Sequence, residues 1–131
     1  KIKSRDYRGD WTAVVYRGAS TEIACAFAEG LAYSAGLHAP ILMRDPTDLP
    51  IVGKGLKRWF LASRFFARSD HSSFWEVNIP AIMITDTAEL RNPNYHQSTD
   101  TPDTLNYEHL GTIVSATALA LARLAGLKGC Q

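Results

Sequence analysis

Segments of strand-type and helix-type composition alternate along this chain of 131 residues, and that alternation constrains the fold more than any other feature. The β-branched and aromatic runs that predict strands are residues 11–16, 40–44 and 81–85. The segments that predict helices are residues 20–36, 54–67, 72–77 and 107–124. Strands that alternate with helices pack as a sheet covered by helices, so the pattern predicts an α/β layered fold in a single domain over residues 1–131.

The same apolar patterns predict which positions are buried. The continuous apolar run of residues 81–85 is typical of a strand that is buried on both faces. Cys25 lies among apolar residues of the first helix and is predicted to be buried, and two free thiols are favoured over a Cys25–Cys130 disulfide. Phe74 and Trp75 are predicted to be core residues. The stripe predicted for the last helix consists of Leu110, Ile113, Val114, Leu121 and Leu124, with Thr117 as its polar member.

Composition and charge exclude several classes of protein. There are 14 Lys and Arg residues against 13 Asp and Glu, and 46% of residues are hydrophobic, which excludes a collagen and an acidic disordered tail. The longest apolar runs are too short to cross a bilayer. A basic stretch at residues 54–68 is interpreted as a solvated helix face, with contact to nucleic acid or anionic lipid as the weaker alternative. We therefore expect neither nucleic acid nor a membrane as partner.

Two polar clusters contain the residues that could support chemistry. Asp70 and His71 precede a short helix, where an Asp is typical of a helix cap but an Asp–His pair can also bind a metal or orient a base. His96 lies in a long polar loop after the third strand, and neutral histidine is the commonest metal ligand in proteins. Asp100 is close enough in sequence to order that loop. Taken singly, each cluster is compatible with a purely structural role.

Taken together, the two clusters resemble the C-terminal half of the co-catalytic zinc aminopeptidases, a superfamily that includes bacterial leucine aminopeptidases, glutamate carboxypeptidase and the glutaminyl cyclases. The motifs that carry the resemblance are Ser69-Asp70-His71, Phe74-Trp75, Ile79-Pro80-Ala81, Asn92-Pro93-Asn94-Tyr95-His96, Thr99-Asp100-Thr101 and Thr104-Leu105. The resemblance is strong over residues 68–125 and extends over residues 11–67 only as a compatible α/β pattern. It implies a three-layer α/β/α fold with a mostly parallel or mixed sheet, apparently truncated here.

The resemblance also implies roles for individual residues. His96 matches the last zinc ligand of the family, and Asp70 matches an acidic residue at the edge of the active site that contributes to catalysis in the cyclases. His71, Tyr95 and Asp100 are expected to shape the site and hold the His96 loop. In the family, two zinc ions activate a shared water and polarise the scissile carbonyl of a peptide with a free N-terminus.

The chain departs from the family pattern upstream of the matched motifs. The resemblance implies a His-x-Asp element, a Glu-Glu pair and a further Asp, and none of these can be placed in this sequence. Because a zinc ion needs three or four protein ligands, we expect this chain alone to lack the complete two-zinc site. It would then be either part of an aminopeptidase completed by an upstream segment, or an inactive relic. The alternative is a non-catalytic binding or assembly module, possibly homodimeric.

Overall fold

The computed structural model describes residues 11–35, 40–49, 65–86, 88 and 92–126. In chain order, the elements are strand β1 (Thr12–Tyr16), helix α1 (Thr21–Ala35), strand β2 (Pro40–Arg44), helix α2 (His71–Glu76), strand β3 (Ile82–Thr85) and helix α3 (Tyr107–Leu124). The three strands and helices α1, α2 and α3 are confirmed close to their predicted bounds. Most of the helix predicted over residues 54–67 lies outside the described residues. None of the described helices is long and apolar enough to span a membrane.

The described strands form one mixed sheet in the order β2-β1-β3. β1 is parallel to β2, to which α1 connects it, and antiparallel to β3. As the central strand, β1 is the most deeply buried, with Ala13, Val14 and Val15 at most 2% exposed. These elements confirm a small α/β arrangement, which positions loops at both ends of the sheet.

Helices α1 and α3 cover one face of the sheet and form the core with β1. Phe27 and Leu31 of α1 are at most 1% exposed and pack with Val14 and with two alanines of α3. Burial of each of these two large side chains contributes about 1.5–3 kcal/mol to folding. Gly30 lies where the helices meet, since a Cβ there would lie 2.7 Å from the carbonyl oxygen of Ala116. The glycine therefore allows the two helix backbones to approach closely.

The apolar stripe predicted for α3 is wrong in most of its members. Leu110, Val114, Leu121 and Leu124 are 39–62% exposed, whereas Ala116 and Ala120 are buried. Of the predicted stripe, Ile113 packs against the core. The physical reason is the close approach of α1 and α3, which leaves room at the contact for alanine but not for leucine.

Three other burial predictions are also corrected. Cys25 is an exposed free thiol on α1, while Cys130 lies outside the described residues. Phe74 is 48% exposed, although its neighbour Trp75 is buried as predicted. β3 is only partly buried, with Ile84 36% exposed, because the core is centred on β1 and β3 lies at its periphery.

Candidate functional site

Two ion pairs, Arg17–Asp45 and Arg44–Asp48, lie at the carboxyl ends of the parallel strands β1 and β2, and we refer to them as the clasp. Asp45 is 2% exposed and accepts hydrogen bonds from Arg17 Nε at 2.9 Å, from Thr47 Oγ1 at 2.7 Å and from the Thr47 backbone N–H at 2.9 Å. Asp45 and Thr47 lie outside the strands and helices that the sequence predicts. The Asp-Pro-Thr order is a capping signature that could have indicated this role, since Asp45 caps the 3₁₀ turn Pro46–Asp48.

A second carboxylate completes the clasp. Asp48 Oδ2 accepts from the Gly18 N–H at 2.7 Å and from Arg44 Nη2 at 2.8 Å. A Cβ at Gly18 would lie 2.8 Å from Arg44 Nη2, the end of a flexible and half-exposed side chain that can shift to make room. In α/β folds, ligands commonly bind beyond the carboxyl ends of parallel strands. In this protein, ion pairs between its own side chains occupy that edge of the sheet.

Helix α2 is attached to the clasp through Trp75. The Arg17 guanidinium lies 4.4 Å from the centroid of the Trp75 ring, and Trp75 Nε1 donates to the Ala81 carbonyl at 2.9 Å. The Ala81 N–H in turn donates to Ser20 Oγ at 3.0 Å. Ser20 is buried and joins the start of α1 to the segment before β3.

The predicted site residues Asp70 and His71 lie in different environments. His71 is 5% exposed, packs edge-on against Trp75 at 4.4 Å, and places Nε2 2.7 Å from the carbonyl oxygen of Phe66. Because a carbonyl only accepts, Nε2 is the donor of this hydrogen bond, and the buried Nδ1 has no hydrogen-bond partner among the described residues. Asp70 is exposed, and its side chain makes no capping hydrogen bond to α2, contrary to the structural interpretation of its sequence position.

The His96 loop contains an unusual backbone conformation at the predicted zinc ligand. His96 has φ of 58°, a left-handed conformation that is uncommon for residues other than glycine. It lies within a turn closed by the Gln97 N–H, which donates to the Asn94 carbonyl at 2.8 Å. The Tyr95 and His96 rings are stacked, with centroids 4.0 Å apart and planes 14° from parallel. The imidazole is exposed to solvent.

Side-chain hydrogen bonds connect the two ends of this loop. Thr99 Oγ1 donates to Asn94 Oδ1 at 2.8 Å, and the Asn94 N–H donates to Asn92 Oδ1 at 2.9 Å. Asn92 Nδ2 donates to Asp100 Oδ1 at 3.2 Å. Asp100 thus accepts a hydrogen bond across the loop, and its role in ordering the loop stays a prediction, whereas the sequence analysis assigned no role to the two asparagines. We refer to Asn92, Asn94, Thr99 and Asp100 as the loop network.

One exposed carboxyl after the loop network has a shifted pKa. A hydrogen bond from the Thr101 side chain is the main cause that lowers the pKa of Asp103, and a backbone hydrogen bond adds to it. Asp103 belongs to the 3₁₀ turn Pro102–Thr104, which leads toward α3. The lowered pKa keeps this carboxylate ionised to a lower pH than usual, and Asp103 is fully exposed to solvent.

The two predicted clusters are attached to opposite ends of β3. Ile82 pairs with Tyr16 at the carboxyl end of β1, and Thr85 pairs with Ala13 at its amino end. α2 precedes β3 and the His96 loop follows it, and no hydrogen bond or ion pair within the described part of the chain joins Asp70 to His96. The amino end also holds His109, which the sequence analysis did not single out: its Nε2 lies 3.3 Å from Thr12 Oγ1.

The described residues do not fit a zinc centre by themselves. Across residues 11–35, 40–49, 65–86, 88 and 92–126, no three His, Cys, Asp or Glu side chains are grouped so that they could hold a metal ion. Zinc sites in proteins use three or four side-chain ligands. His96 can supply one of these ligands.

Comparisons with known proteins place the motifs in a family. The sequence model described as Peptidase family M28 matches residues 50–121, more than half of the chain. An uncharacterized protein of Escherichia coli strain K12, YfbL, is 49% identical over 53 residues, which are 40% of this chain and 16% of that relative. The chain thus matches about a sixth of the relative's length. No solved structure matches.

Proposed function

Because this chain belongs to peptidase family M28, whose members are generally zinc-dependent hydrolases, we propose that it forms the C-terminal part of an aminopeptidase catalytic domain. The proposed substrates are peptides with a free N-terminus, from which the complete protein removes one residue at a time. The observation that supports this proposal most directly is the loop of residues 92–100, which follows β3 in the chain and presents His96 to solvent.

We assign His96 as one zinc ligand and Asp70 as an acidic residue that supports the site. Tyr95 stacks on His96 and Asp100 accepts a hydrogen bond across the loop, which suits both to shaping the site, while His71 is buried against Trp75. The remaining ligands of a two-zinc site would come from an upstream segment. A three-layer α/β/α arrangement is part of the same proposal. Helices α1 and α3, which cover one face of the sheet, would form one of its two helical layers.

The test compares His96→Ala with the unaltered sequence in a protein that joins this chain to an upstream M28 segment. Bound zinc is measured by mass spectrometry, and hydrolysis of an amino-acid anilide is followed in parallel. We expect His96→Ala to lose one zinc ion per chain and at least about 100-fold in activity. His109→Ala is the matched control and should retain both. Unchanged zinc content in His96→Ala would contradict the ligand assignment.

The second candidate function is a non-catalytic assembly module, and the exposed apolar side chains of α3 favour it. Val114 is 61% exposed and Leu121 is 62% exposed, seven residues apart on the same side of the helix. Contiguous exposed apolar surface commonly marks an interaction site. Sedimentation velocity should then detect a dimer that Val114→Glu with Leu121→Glu dissociates. A single monomeric species at high concentration would contradict this function.

A further inference from the structure

The face of α3 that points away from the core carries no charged side chain. Ala116 and Ala120 pack in the core with α1, so the opposite face of the helix is turned to solvent. Exposed residues along that face recur at alternating intervals of four and three residues, and we refer to them as the α3 seam: Tyr107, Gly111, Val114, Ala118, Leu121 and Ala125. A helix that is apolar on both of its faces is typically covered on both.

The α3 seam has the spacing of a coiled coil, and large residues alternate in it with small ones. Intervals of four and three residues average 3.5, the repeat that keeps a line of side chains in contact with a second helix. Tyr107, Val114 and Leu121 are 60–62% exposed, and each is followed four residues later by glycine or alanine. At Gly111 an added Cβ would meet no atom within 4 Å, so the space above the small residue is open.

A second copy of the chain that runs antiparallel is complementary to this surface. Two α3 helices can be related by a two-fold axis level with Ala116, which makes the contact isologous. Each large residue of one seam then lies opposite a small residue of the other, in the pairs Tyr107–Ala125, Val114–Ala118 and Leu121–Gly111. In a parallel pair, large residues would face large ones and small residues would face small ones, which leaves voids between the helices.

The charges beside the α3 seam favour the same orientation. Glu108 lies in the first turn of α3 and Arg123 in the last turn, where it forms an ion pair with Glu29 at the surface. Antiparallel packing brings the first turn of one copy beside the last turn of the other, so Glu108 and Arg123 come to the same end of the pair. The helix dipoles are then also opposed, whereas parallel packing would bring like charges together.

We propose that the α3 seam is a homodimer interface in which two α3 helices pack antiparallel, with each large seam residue against a small residue of the second copy. The interface rests on the assembly function proposed above and deepens it, because it names the partner and the register. It does not depend on a metal site. The glycine and alanines of the seam allow the two helix backbones to approach closely, as Gly30 does where α1 meets α3.

The first test is sedimentation velocity of the full chain over a range of concentrations, with circular dichroism to check that each variant is folded. Leu121→Glu should make the chain monomeric, because it would bury a charge in the interface. Leu119→Glu is the matched control and should leave the dimer intact, since Leu119 is 45% exposed on the same helix but lies outside the seam.

A pair of substitutions tests the contact between large and small residues. Ala118→Leu should weaken dimerisation at least about tenfold, because the added side chain would overlap with Val114 of the second copy. Exchange of the two residues, Val114→Ala with Ala118→Val, should dimerise as tightly as the unaltered chain, because a large residue again lies opposite a small one. Weak dimerisation of the exchanged variant would contradict the register.

Disulfide formation tests the orientation directly. Gly111→Cys and Leu121→Cys are made separately in a chain that carries Cys25→Ser and Cys130→Ser, and the two variants are mixed and oxidised. Antiparallel packing predicts a disulfide between one variant and the other, whereas parallel packing would join each variant to itself. Mass spectrometry distinguishes the products.

The outcomes separate this interface from the function on which it rests. A monomer at every concentration would overturn both. A dimer that Leu121→Glu leaves intact, or disulfides that join only like variants, would overturn the antiparallel seam while the assembly function stands. Dissociation by Leu121→Glu but not by Leu119→Glu, together with the mixed disulfide, supports both.

Discussion

Replacing His96 by glycine should make the chain more stable than replacing it by alanine. His96 has φ of 58°, and the left-handed region costs a residue with a Cβ about 1–2 kcal/mol. Glycine avoids that cost but loses about 0.4–1 kcal/mol through the greater freedom of the unfolded chain. The net advantage of His96→Gly over His96→Ala is therefore about 0.5–1 kcal/mol. At a denaturant dependence of about 2 kcal/mol per molar urea, the unfolding midpoint should differ by about 0.25–0.5 M.

The assay is urea unfolding of both variants, with Gln97 as the matched site. Gln97 is also exposed and lies in the same turn, but its φ is not positive, so there the glycine variant should be the less stable one. Asn78, with φ of 59°, should repeat the sign seen at His96. The reasoning is refuted if His96→Ala unfolds at the same urea concentration as His96→Gly or at a higher one.

Two further predictions concern packing and the clasp, and urea unfolding measures both. Gly30→Ala should destabilise the chain by about 1–3 kcal/mol, because the added Cβ would lie 2.7 Å from a carbonyl oxygen. Gly111→Ala is the matched control: its Cβ would meet no atom within 4 Å, so it should stabilise α3 by about 1 kcal/mol. If Gly30→Ala unfolds at the same urea concentration as the unaltered chain, the close contact between α1 and α3 is contradicted. Asp45→Ala should cost about 3 kcal/mol because it leaves Arg17 unpaired, while Arg44→Ala, at a 47% exposed side chain, should cost less than about 1 kcal/mol. Equal losses at the two positions would contradict the buried clasp.

The elements that were predicted correctly are those with local signals. β2 and α3 occupy their predicted ranges, Asn106 caps α3 through its side chain, and Gly126 follows the helix with a positive φ. Local composition was therefore sufficient for the bounds of these elements, while the role of Asp100 in the site stays a prediction.

The features that were missed depend on contacts between distant residues. Gly30 determines which face of α3 is buried, although it lies more than 80 residues before Ala116. Because Gly30 has no Cβ, the two helices approach closely, and alanine is favoured where they meet. The Arg17–Asp45 pair joins residues 28 positions apart, and no periodic pattern indicates it. The left-handed conformation of His96 is a local exception: it lies within the turn that the Gln97–Asn94 hydrogen bond closes, and histidine itself does not indicate this conformation.

Zinc titration of a protein that joins this chain to an upstream M28 segment, followed at the ring protons of its histidines, tests the central claim that His96 is a metal ligand. The chain has four histidines, so their signals can be assigned by single substitutions. We predict that zinc shifts the His96 signals saturably and at the lowest concentration, and that His96→Ala removes this response. A titration in which His96 stays unshifted, or in which His96→Ala binds zinc as tightly as the unaltered chain, would contradict the account.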